Sequence, residues 1–114
     1  MKKNLNIGKW NIIFYDGEDC KEGLQRCKTD LDVPEKIMAQ AKSNSQKENC
    51  GSTISNISRK LIRVFVGPQT SKAEMLNTLS HEIRHVVDTI AEHTPIESAA
   101  ELTGAITARF ADWV

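Results

Sequence analysis

Aromatic residues are scarce in this chain, with two Trp, one Tyr and three Phe among 114 residues. Charge of a single sign is missing altogether: 15 Lys and Arg balance 15 Asp and Glu. The cations are scattered among the acids, so no basic field exists to hold a nucleic acid or a membrane surface. Arg59-Lys60 with Arg63 is the densest basic spot and reads as a solvated strand end. No apolar run approaches the roughly 20 residues of a membrane span. Met1-Lys2-Lys3 leads into no apolar segment, which argues against a secretory signal. Cysteines are few and odd in number: Cys20, Cys27 and Cys50, with no C-x-x-C spacing. That pattern matches no cysteine zinc site and suits reduced thiols in a cytoplasm, one disulfide plus a free thiol being the alternative. The expectation is a single domain over residues 1–114, large enough to bury one core without disulfide staples.

The apolar pattern orders the elements. Trp10 to Tyr15 is a β-branched and aromatic run stopped by Asp16-Gly17, a first strand and its turn. Leu24, Cys27 and Leu31 recur near helical spacing, and Pro34 opens a short helix carrying Ile37, Met38 and Ala41. Residues 43–49 are wholly polar and read as a surface loop. Residues 51–55 and 60–66 are two strands joined by a turn near residues 56–58, the second with Ile62, Val64 and Val66 on one face. Ser71-Lys-Ala-Glu74 is a capping box. It starts a helix whose buried stripe is Met75, Leu79, Ile83, Val86 and Ile90. Thr94-Pro95-Ile96-Glu97 reads as a second helix start, with Thr94 at N-cap, and this helix continues towards Trp113 with Ile96, Ala99, Thr103, Ile106 and Phe110 on one face. Ala100, Gly104 and Ala108 form a stripe of small residues that would permit close approach to the preceding helix. There is no internal repeat.

Against this background one motif stands out. His81-Glu82-Ile83-Arg84-His85 is H-E-x-x-H inside the first of the two C-terminal helices. Histidines four apart share a helical face, with Cβ atoms about 5–6 Å apart, and both imidazoles can reach one ion. The intervening glutamate is then placed to accept a proton from a water that the ion activates. A catalytic zinc takes three protein ligands, so a third must come from elsewhere. Six residues beyond His85 stands Ala91, not a third histidine. Glu97 and Glu101, one turn apart on the following helix, are the carboxylates within reach. Asp88 stands one turn after His85 as a second-sphere partner or an ordinary exposed residue, and His93 reads as a loop residue.

H-E-I-R-H-V-V-D followed by E-S-A-A-E-L resembles the gluzincins, zinc peptidases whose next helix contributes a glutamate in an E-x-x-A or E-x-x-D context. Glu97-Ser98-Ala99-Ala100 matches that context, and Glu101-Leu102-Thr103-Gly104 matches it less well. In layout, from Trp10 to Phe110, the chain resembles the minigluzincins and the short peptidase-like proteins of phages and mobile elements. The resemblance is specific between Leu61 and Leu102. It implies an α+β fold, a minimal zincin-like arrangement with a small antiparallel or mixed sheet of about three strands packed on the metal-binding helix pair. It implies zinc on His81, His85 and Glu97, with Glu82 as general base and a peptide or protein as substrate. It also implies a peptide held along the strand 60–66. The tyrosine or histidine that larger gluzincins turn towards the oxyanion has no evident counterpart, Tyr15, Arg84 and His93 being the available stand-ins.

Three functions are compatible with these residues. The first is a cytoplasmic zinc metallopeptidase. The second is a catalytically silent zinc-binding interaction module. The third is a subunit whose cleft is completed by a larger assembly. No nucleic-acid or membrane partner is expected, and the sequence leaves the oligomeric state open.

Overall fold

A computed structural model describes residues 1–113 as four helices and a four-stranded mixed sheet. The strands are β1 (Lys2–Ile7), β2 (Trp10–Asp16), β3 (Gly51–Asn56) and β4 (Leu61–Val66), arranged β1-β2-β4-β3. The central pair, β2 and β4, is parallel, and each edge strand is antiparallel to its neighbour. Central strands covered on both faces need near-continuous apolar sequence. β4 meets that demand, with every residue from Ile62 to Val66 buried, Arg63 included. The Arg63 guanidinium donates to the Asn11 and Ile62 carbonyls, so it is an interior cation and not a solvated strand end.

Helices cover both faces. α1 (Asp19–Asp30) and α2 (Glu35–Ser45) pack over Tyr15, Ile54 and Phe65. α3 (Lys72–His93) and α4 (Ala99–Ala108) pack over Trp10, Ile12, Phe14, Ile62, Val64 and Val66. Strand alternation sorts the two sets, since successive side chains point to opposite faces. α3 is the long element because its stripe is unbroken: Leu79, Ile83, Val86, Val87 and Ile90 are all buried, with Met75 packed at the margin. Ser71 Oγ accepts the Glu74 N–H at 3.1 Å, the cap expected there.

Several sequence expectations are corrected. β1 adds a fourth strand before Trp10. Its sequence carries little apolar signal, because Leu5 is its one buried residue; side-chain bonds from Asn11 to Asn4 and Asn6 help hold it. The polar segment 43–49 does not begin as loop, because α2 runs through Ser45 on local bonds such as Gln40 to Asn44. Lys60 belongs to the turn, at φ 55°, and β4 starts at Leu61. β4 also lies between β2 and β3, so it has no free edge to offer a peptide; β3 has one.

The second helix starts later than the Thr94-Pro95 signal suggested. Thr94 ends α3, its N–H bonding to the Ile90 carbonyl, and its hydroxyl accepts the buried Trp10 Nε1–H at 2.8 Å. Thr94 thus closes α3 and faces Trp10, and Ser98 caps α4 instead by accepting the Glu101 N–H. Ile106 and Phe110 anchor α4 to the core, with Ile96 and Leu102 packed at its edge. Ala100, Gly104 and Ala108 are exposed, and a Cβ on Gly104 would meet nothing within 4 Å. The small-residue stripe therefore faces outward, away from α3.

Candidate metal centre

α3 builds the site by periodicity alone. Its apolar stripe docks on the sheet, which leaves the neighbouring face, carrying His81 and His85, open to solvent. Their Nε2 atoms stand 3.1 Å apart, with ring planes at 84°. Two nitrogens at 2.0–2.1 Å from one tetrahedral ion stand about 3.3 Å apart, so the pair is set for shared ligation with little adjustment. The tautomers of the two rings set which Nε2 donates and which accepts across that distance.

Glu82 turns the other way. It is 2% exposed and lies under the start of β3, where a Cβ on Gly51 would come within 2.9 Å of its Cγ. One ligand atom from each of His81, Glu82 and His85 lies within 4.8 Å of the others. Glu82 Oε2 and Thr53 Oγ1 are both buried without a hydrogen-bond partner. Burial pushes the Glu82 carboxyl above the ordinary glutamate range. The two histidines, and the Thr53 hydroxyl that lies near without closing an ordinary hydrogen bond, pull it partly back. The result is a carboxyl of raised basicity beside a metal-competent imidazole pair.

The other sequence candidates fall away from this cluster. Neither Glu97 nor Glu101 belongs to the metal-competent group among the described residues. Glu97 is exposed in the connection between the helices, before the Ser98 cap. Glu101 sits in the first turn of α4, so of the two it is the one on a helix. Asp88 is exposed and pairs with Arg84 at 3.8 Å, not with a histidine. His93 ends α3 beside Glu92. Tyr15 is buried on the opposite face of the sheet, stacked on Phe65, which removes it as an oxyanion partner.

Two residues of the site were not foreseen, Gly51 and Thr53. Alternation along β3 puts both on the α3 face, over Glu82. The available signal was glycine inside a strand pattern, which marks a close approach of another group.

The three cysteines are free, Cys20 and Cys27 in the core and Cys50 half-buried. No helix of the described residues is long and apolar enough to cross a membrane. No family model, curated protein or solved structure matches the chain.

Proposed function

We propose that this chain is a zinc-dependent metallopeptidase acting in a reducing compartment such as the cytoplasm. The observation that carries the reading is the split geometry of H-E-x-x-H: two imidazoles 3.1 Å apart in solvent, and between them in sequence a buried carboxyl with an orphaned oxygen. Burial raises the basicity of that carboxyl, which suits a group that accepts a proton from a metal-held water beside it.

His81 and His85 would hold the zinc, with a third carboxylate from the start of α4. The gluzincin resemblance asks for that carboxylate on a helix. Glu97, the better motif match, lies just before the Ser98 cap, and Glu101 lies in the first turn of α4, so the two candidates stand one turn apart at the same helix start. When bound, zinc would lower the pKa of a coordinated water to about 7 and polarise the scissile carbonyl. Glu82 takes the proton from the attacking water and returns it to the leaving amine. The free edge of β3, next to Glu82, is where an extended substrate would pair.

The lack of a carboxylate from Glu97 or Glu101 in the cluster favours a second reading, a zinc-binding module that turns nothing over. Metal content and peptide hydrolysis decide between them. Purified wild type is expected to hold near-stoichiometric zinc, to lose it in His85→Ala and in one of Glu97→Ala or Glu101→Ala, and to cleave peptides. Zinc without cleavage would establish the silent module, and a protein that takes up no zinc would remove both readings.

A further inference from the structure

The outer edge of β3 has a definite backbone phase. Asn11 N–H bonds to the Lys60 carbonyl on the β2 side of β4, and Gly67 N–H bonds to the Cys50 carbonyl on its β3 side. By alternation the odd residues of β4 face β3. With Phe65 opposite Ser52 and Arg63 opposite Ile54, the even residues of β3 spend their backbone groups on β4. Gly51, Thr53 and Ser55 therefore point three N–H groups and three carbonyls outward, and no strand among the described residues pairs with them.

A strand added there would send alternate side chains to opposite faces. One set faces α3 and the His81–Glu82–His85 cluster. The other set faces α2, where a groove of about 540 Å³ runs between that helix and β3 from Gly51 to Ile54. Its α2 wall carries Lys36, Ile37, Gln40, Ala41 and Asn44. Ile37 is 45% exposed, a large apolar side chain with nothing over it. Lys36 is the one charged residue lining the groove, and no carboxylate pairs with it among the described residues.

We infer that this groove is a side-chain subsite for an extended peptide pairing with β3, selecting an apolar residue over Ile37 and an acidic residue two positions along, towards Lys36. As a substrate subsite it rests on the peptidase reading; as a peptide-binding groove it does not. The backbone edge supplies affinity without sequence preference, and the α2 wall supplies the preference. Side chains two apart on one face of a strand stand about 6.6–6.8 Å from each other. Lys36 and Ile37 start from Cα atoms about 3.8 Å apart, and the length of the lysine side chain covers the remaining distance.

The test uses the full chain carrying Glu82→Gln, so that bound peptide stays uncut. Labelled, alternating Thr/Val peptides carrying an Ile-x-Asp pair at each position in turn are compared with Ser-x-Ser peptides by fluorescence anisotropy. The best Ile-x-Asp peptide is expected to bind at least about tenfold tighter, the range for burying one aliphatic group in an apolar pocket. Adding Ile37→Ser should erase the apolar preference, and adding Lys36→Glu should reverse the preference from Asp to Lys. Both positions are exposed, so neither change strains the core. N-methylation of the peptide amides that face β3 should abolish binding. Preferences untouched by both α2 variants would overturn the inference. So would light scattering that finds a dimer no peptide can displace, because a second copy would then own the edge. Wild type that binds the same peptides with the same preference and leaves them whole would instead sink the peptidase reading and leave the groove standing.

Discussion

Gly51 of β3 and Glu82 of α3 touch across the junction of sheet and helix, so closely that glycine alone fits. A Cβ at position 51 would fall 2.9 Å from Glu82 Cγ and 3.2 Å from the Phe65 carbonyl. Gly51→Ala must therefore push the carboxyl aside. The His81–His85 pair, on the solvent side of the helix, is not touched. The expected result is a folded protein of unchanged zinc content whose kcat/KM falls by roughly 10²-fold, the usual contribution of a positioned proton carrier. Parallel metal analysis and peptide hydrolysis check it; equal loss of metal would contradict the separation drawn here.

Glu82→Gln should remove hydrolysis by about 10²–10⁴-fold while raising the stability of the metal-free protein near neutral pH. The sign follows from burial. A carboxyl whose folded pKa is raised above its usual 4.5 ionises more readily in the unfolded chain. Wild type is then most favoured below pH 4.5 and loses that contribution as pH rises through the folded value. The glutamine variant has no such loss. Melting temperatures of the metal-free proteins should diverge as pH is raised from 4 to 7, with the variant higher at the upper end.

Thiol reactivity should follow burial. Desolvation drives the Cys27 thiol from 9.0 up to about 11, and it pushes Cys20 upward as well. Cys50 is expected to react first with an aromatic disulfide reagent at pH 8, with Cys20 and Cys27 following only on unfolding. The raised Cys27 value also costs stability as pH climbs from 9.0 towards about 11, since the unfolded thiol ionises first. Cys27→Ala should flatten that part of the alkaline melting profile.

The boundary between the last two helices separates two hydroxyls by role. Ser98→Ala removes the cap of α4 and is expected to cost about 1 kcal/mol. Thr94→Val instead leaves the buried Trp10 indole N–H without its acceptor, at about 1–3 kcal/mol. Denaturant titration should rank Thr94→Val as the more damaging. The reverse order would return the cap to Thr94.

What the sequence made legible was whatever a single element encodes by its own period. The α3 stripe, the Ser71 cap, the β3–β4 hairpin and the solvent-facing histidine pair each follow from local spacing. β1 was hidden because an edge strand with one buried residue carries almost no apolar signal. The α4 start is not legible locally because Thr94-Pro95 is a good cap signal, and only the fold shows Thr94 closing α3 with its hydroxyl turned to the distant Trp10. Strand order was beyond local reading too: β4 seemed an edge until β2 was seen to pair with it in parallel. The burial of Glu82 under Gly51 depends on that order, so H-E-x-x-H disclosed its histidines and withheld the surroundings of its glutamate.

The parallel pairing of β2 with β4 encloses everything from Gly17 to Lys60 as one excursion of the chain, which must return before the sheet is whole. That loop closure is the slow, entropically expensive step of such a topology. The two imidazoles need only a few turns of α3, whereas Glu82 acquires its dry setting only when the excursion has closed and β3 lies over it. On the proposed peptidase reading, metal capture and proton handling would mature at different stages of folding. Partial denaturation should reveal a window in which the chain still gathers an ion and can no longer use it.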